Sequence, residues 1–265
     1  MRAIVTLIAA GALIAAVAPA PAQSLESRIS AVGDGSVRFS FASRPGVCGD
    51  GRGSIGTGGN TTIMRQYSSG SGYGESREWC VPGPVLVVLT LRAGAVERAR
   101  VFVGAGDSSA DARDLGVVAD REAVDYLLAL APRSPGRVGE EVVLGAVLAD
   151  SVTPWPALFS IARSDAAPRG TRESATFWLG RAAAAAVNHR PLLGGRDDDD
   201  SPRGEVRNAA IFALSQQPRD EGVPALIRVV RTSRDPAARD KALFWLSQSG
   251  DERAMDLFKE LLEVR

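Results

Sequence analysis

The chain has 265 residues, with 31 basic and 31 acidic side chains, a formal net charge of zero and 45% hydrophobic residues. That length allows one large domain or two ordinary ones with a sizeable core, and the balanced charge excludes a global field steering the protein to nucleic acid or an anionic surface. With His189 as its one histidine and two cysteines, the chain cannot assemble a zinc tetrad of Cys and His.

Arg2 and the apolar run AIVTLIAAGALIAAVA, followed by PAPAQS, have the form of a secretory signal peptide. Ala20 and Ala22 are the small residues that favour cleavage before Gln23. Pro19, Pro21 and the excess of Ala and Gly argue against a lasting membrane anchor. The expectation is a signal peptide over residues 1–22 and a mature bacterial protein that is periplasmic or secreted, with no membrane span. In such a compartment Cys48 and Cys80 are most simply a disulfide, because a redox pair usually has closer or CxxC spacing.

Residues 23–113 read as a β-rich region. Val37, Phe39 and Phe41 share one face at period 2. Residues 85–91 and 96–103 read as two strands linked around Gly94, a hairpin that must pair with the Val37 strand. The first of these strands is apolar on both faces and is expected to be buried. The second carries Glu97, Arg98 and Arg100 and is expected to face solvent on one side. Between the two regions lies CGDGRGSIGTGGN, which contains a literal GxGxxG at Gly51, Gly53 and Gly56. A dinucleotide loop must leave a strand and enter a helix. Here Gly58, Gly59 and Asn60 follow instead, so the stretch is expected to be an exposed loop.

From about Asp114 helical periodicity takes over, after a polar linker over residues 106–113. The segment ADREAVDYLLALA places Ala123, Tyr126, Leu127 and Leu130 on one stripe. Residues 140–150 and the segment PWPALFSIARS read as the next two helices. Further on, TRESATFWLGRA, VRNAAIFALSQQ and ARDKALFWLSQS repeat one pattern. Arg172, Arg207 and Arg239 share a column, as do Ala175, Ala210 and Ala242, and Leu179, Leu214 and Leu246. The alanines are spaced by 35 and then 32 residues, a period that indicates stacked helical hairpins. The alanines are expected where helices cross closely, the leucines in the core, and the arginines at seams between units. In the second helices, Leu226 with Val230 and Leu257 with Leu261 form the matching stripe.

The segments VRNAAIFALSQQPRDEGVPALIRVV and ARDKALFWLSQSGDERAMDLFKELL resemble HEAT repeats of the short bacterial type, sometimes grouped with the bilin-lyase HEAT-like repeats. The resemblance extends loosely back to about Asp120. It implies an α+β chain: a small disulfide-bonded β-rich N-terminal region, then an α-solenoid of about four HEAT-like helical hairpins over residues 114–265. It also implies a non-catalytic scaffold that binds a protein partner through the surface of its second helices. Exposed candidates there are Arg228, Arg231, Asp256 and Lys259. The pattern fails after RAAAAAV, where NHRPLLGGRDDDDSPRG replaces a second helix; loops of this kind often lie on a binding face.

His189 and the run Asp197, Asp198, Asp199 and Asp200 complete the partner-binding candidates. The run lacks the alternating ligands and closing Glu of an EF-hand loop and reads as a solvated acidic loop. No GxSxG or comparable motif supplies a nucleophile for His189. The sequence therefore gives no catalytic residue, cofactor or metal site, and the chain is expected to be a monomer and not an enzyme. The competing class is an envelope enzyme, either a lyase-like HEAT protein or a hydrolase, in which His189→Ala would abolish turnover.

Overall fold

The computed structural model describes residues 23–57, 62–64, 80–104, 111–189, 192 and 201–263. The expected signal peptide and the run Asp197, Asp198, Asp199 and Asp200 lie outside the described residues.

Helix α1 (Leu25–Ser30) opens the described chain, with the Ser24 hydroxyl accepting from the Ser27 amide as its N-cap. Strand β1 (Gly35–Phe41) buries Val37, Phe39 and Phe41, as period 2 predicts. Numbered along the chain, β6 (Val85–Arg92) and β7 (Ala95–Val103) form the expected hairpin. Its turn places Ala93 and Gly94 at φ 50° and 74°, the positive pair that a tight two-residue hairpin requires. β1 runs antiparallel to β6, with Phe39 opposite Val87. β6 is not buried on both faces: Val85, Val87, Leu89 and Leu91 point inward, while Leu86, Val88 and Thr90 are half-exposed. The helices also begin later than the periodicity suggests, because Arg113–Val117 is strand β8. β8 pairs parallel to β1 at the sheet edge, giving the order β7-β6-β1-β8, and Asp114 accepts from Arg38 at 3.0 Å.

The Gly-rich stretch is not a free loop. It holds β2 (Val47–Gly49) and β3 (Ser54–Thr57), which with β4 (Thr62–Met64) and β5 (Val81–Pro82) make a second sheet, β4-β3-β2-β5. Gly51, Gly53 and Gly56 are buried. Asp50 Oδ1 accepts from the amides of Arg52, Gly53 and Ser54 at 2.8, 2.9 and 2.9 Å, so the turn's donors are already taken by its own carboxylate. Burial alone would raise the Asp50 pKa, but these bonds outweigh it and hold it below the ordinary aspartate value. A Cβ on Gly49 would stand 2.4 Å from the Val103 carbonyl oxygen, so only glycine lets β2 meet β7. The Cys48–Cys80 disulfide, with Cα atoms 5.0 Å apart, ties β2 to the chain entering β5.

Among the described residues eight α-helices follow: α2 (Asp120–Leu130), α3 (Val138–Leu148), α4 (Trp155–Ala162), α5 (Arg169–Val187), α6 (Pro202–Ser215), α7 (Arg219–Thr232), α8 (Pro236–Ser249) and α9 (Glu252–Glu263). They pair as four helical hairpins. α3 is buried almost all round because it lies on β6 and β7 and packs also on α2 and α5. One continuous core therefore runs from Val37 in β1 to Phe258 in α9. Arg44 joins the two halves: its Nε and Nη2 donate to the carbonyls of Val147 and Val152, both at 2.7 Å.

The repeat columns hold in two helices and fail in the third. Ala175, Leu179, Ala242 and Leu246 are each 0% exposed. Ala210, expected at a close crossing, faces solvent, and Leu214 is only half-buried. The cause is the order of packing. α5 packs against α3, α4, α8 and α9, while α8 also packs against α6 and α7. The last hairpin thus fills the space between α4/α5 and α6/α7, instead of each hairpin stacking on its neighbour in sequence. At the α5–α8 crossing a Cβ on Gly180 would stand 2.7 Å from Ser247 Cβ.

The arginine column lies at seams. Arg172 donates to the Ser164 carbonyl just past α4, and Arg239 Nη1 to the Ser233 carbonyl at the end of α7. Arg207 reaches Asp235 at 3.4 Å in the turn before α8. Arg172 and Arg239 thus bond carbonyls just past helix ends, where α-helices leave carbonyls unpaired, while Arg207 bonds the carboxylate that caps α8.

Candidate functional site

α9 is stitched between two other helices by its acidic residues. Arg163, at the end of α4, donates to Glu252 and Asp256 at 3.1 and 3.0 Å. From α7, Arg231 reaches Glu260 at 2.6 Å. Spaced at i, i+4 and i+8, Glu252, Asp256 and Glu260 take partners from α4 and α7. All these groups are partly exposed, so each pair contributes about 0–1 kcal/mol; their main effect is to fix the position of α9.

Between α4 and α9 lies a groove of about 370 Å³. Trp155, Pro156 and Phe159 of α4 form one wall, with Arg163 at its end, and Lys259 and Leu262 of α9 form the other. Pro156 sits in the first turn of α4, where its missing amide costs no hydrogen bond. Trp155 and Phe159, four residues apart, share a face. The Arg44 guanidinium stands 5.8 Å from the centre of the Trp155 ring, within the range of cation–π attraction. Burial lowers the Arg44 pKa, and nearby Asp150 opposes that shift. Arg44 therefore supports the wall from behind. At the mouth, Lys259 pairs with Glu263 at 3.6 Å.

The predicted partner-binding residues do not converge on one site. Asp256 and Lys259 both lie on α9, Lys259 in the groove wall and Asp256 bound to Arg163. Arg231 is engaged at the α7–α9 seam, and Arg228 is exposed on α7. His189 sits just past α5 at φ 50°, exposed, with its amide donating to the Ala186 carbonyl. Sequence reasoning did not find Phe159 or Arg163; the signal was present as two aromatics at i, i+4 in the short helix α4. A second cavity, of about 310 Å³, is lined by Glu140, Glu173, Phe177 and Trp178. Among the described residues no group of His, Cys, Asp and Glu could hold a metal ion.

Residues 195–264 match the family model for HEAT repeats. The match spans α6 to α9, where the Arg, Ala and Leu columns are clearest. No curated protein and no solved structure matches the chain. HEAT repeats are in general protein-interaction motifs, which is consistent with a scaffold. The disulfide is consistent with a location outside the cytoplasm. Among the described residues no helix is long and apolar enough to cross a membrane.

Proposed function

We propose that this protein is a non-catalytic interaction scaffold, periplasmic or secreted, that binds a short segment of a protein partner in the groove between α4 and α9. The groove itself carries the proposal, with the aromatic residues Trp155 and Phe159 on one wall, Leu262 on the other, and Arg163, Lys259 and Glu263 among the lining residues. Aromatic anchors in concave sites supply much of the energy of protein recognition. Trp155, Phe159 and Leu262 take an apolar side chain of the partner, and Lys259 pairs with a carboxylate beside it. The test is capture from the envelope and secreted fractions on immobilised protein, with Phe159→Asp and Lys259→Glu alongside. A partner retained by the native protein and lost from both variants supports the proposal. Equal recovery by all three, or no recovery by the native protein, refutes it.

A further inference from the structure

The second cavity, of about 310 Å³, lies where the start of α3 and the end of α8 flank α5. Gly170, Glu173, Ser174 and Phe177 of α5 fall at i, i+3, i+4 and i+7 and share one stripe. Trp178 adds a buried ring, edge-on to Phe177 with centroids 5.2 Å apart. Glu140 enters from α3 and Gln248 from α8. Two rings and two carboxylates therefore meet in one space, with a hydroxyl and an amide beside them.

The fold makes room for this charge. A Cβ on Gly170 would stand 2.5 Å from Glu140 Oε1, so a bare backbone in the first turn of α5 admits that carboxylate. Glu173 Oε1 accepts from Arg169 Nε at 2.7 Å, but Arg169 lies outside the lining. Among the described residues no lysine or arginine lines the cavity, so its formal charge is negative, carried by Glu140 and Glu173. The repeat does not demand this arrangement. The columns of Glu173 and Ser174 hold Asn208 and Ala209 in α6, and Asp240 and Lys241 in α8.

We propose that this cavity receives an arginine side chain of a protein partner. Carboxylates attract any cation, whereas aromatic rings favour the planar, weakly hydrated guanidinium over an ammonium. Its five N–H donors match the acceptors present: the Glu140 and Glu173 carboxylates, the Ser174 hydroxyl and the Gln248 amide oxygen. Glu173 and Gln248 are exposed, so a side chain enters on their side while its own backbone stays outside. Arg169 competes for Glu173 and repels the incoming charge. The cavity shares no lining residue with the groove between α4 and α9, so either site can fail without the other.

The test is an amide NMR titration with acetyl-Gly-Arg-Gly-amide, to about 20 mM, against the same peptide carrying citrulline, the neutral isostere of arginine. The arginine peptide should give saturable shifts at Gly170, Ser174 and Phe177 and at the Trp178 indole. The citrulline peptide should bind at least about tenfold more weakly. Glu140→Gln and Glu173→Gln should each weaken binding about threefold. Gly170→Ala should weaken it too, since it displaces a carboxylate without removing a charge, and Arg169→Ala should strengthen it about twofold. Asp125→Asn, at an exposed carboxylate on α2, should change nothing. The absence of saturable shifts at these positions overturns the proposal, as does equal binding of the citrulline peptide or indifference to both glutamine variants. Free arginine carries a carboxylate that the two glutamates repel, so tighter binding of free arginine than of the peptide overturns the protein source.

Discussion

Gly180→Ala distinguishes the packing order described above from a stack in chain order, because the two give opposite signs. In the middle of an exposed helix, replacing Gly by Ala stabilises by about 1 kcal/mol through propensity alone. Gly180, however, is at the point where α5 meets α8. An added Cβ would stand 2.7 Å from Ser247 Cβ and 3.4 Å from the Leu243 carbonyl oxygen. The first distance is well inside contact, so the helices must part by most of an ångström. Overpacking of that kind costs about 1–3 kcal/mol, which outweighs the propensity gain over most of its range. The expected net effect is a loss of about 0–2 kcal/mol. Ser247→Gly removes the opposing atom, so the double variant should recover about 1–3 kcal/mol relative to the sum of the singles. Urea unfolding followed by far-ultraviolet circular dichroism reads both numbers. A stabilised Gly180→Ala with no coupling to Ser247→Gly would show that α8 does not lie against α5.

Replacing Cys48 and Cys80 by Ser should lower stability by about 3–4 kcal/mol, since the bridge closes a loop across a separation of 32 residues; a calorimetric loss under 1 kcal/mol would contradict this. Asp50 has a folded pKa below its unfolded value of about 3.9. Its contribution is therefore full above that unfolded value and lost as the pH falls through the folded one. Asp50→Asn should accordingly flatten the fall in stability below about pH 4, and an unchanged slope there would remove the carboxylate from the account. Arg44→Ala leaves the Val147 and Val152 carbonyls without their donor and should cost about 2–4 kcal/mol. Because one core spans both halves, tryptophan fluorescence and circular dichroism should report a single transition in the native protein. Two separate transitions would mean that the halves fold independently.

The legible parts of the fold were those in which burial alternates. Val37, Phe39 and Phe41 marked β1, the 85–103 hairpin was visible with its turn, and the triple repeat announced α5, α6 and α8. β8 was not visible because an exposed edge strand needs no apolar alternation; Arg113, Asp114, Gly116 and Val117 are all exposed. The second sheet was hidden for a different reason. Gly49 and Gly104 bring backbone against backbone, with no side-chain pattern to read. At the candidate site the sequence named Lys259 and Asp256 from helical spacing alone. It could not show that Asp256 belongs to Arg163, or that α4 supplies the facing wall. Ala210 was misjudged because identical columns imply identical environments only if every copy has a neighbour.

The position of α8 has consequences for how the chain can be made and altered. α6 and α7 are synthesised before the helix that joins them to the rest of the protein, so that hairpin must wait for the C-terminal segment to arrive. Removing residues from the C-terminus would not shorten this protein by one unit: it would take away the middle.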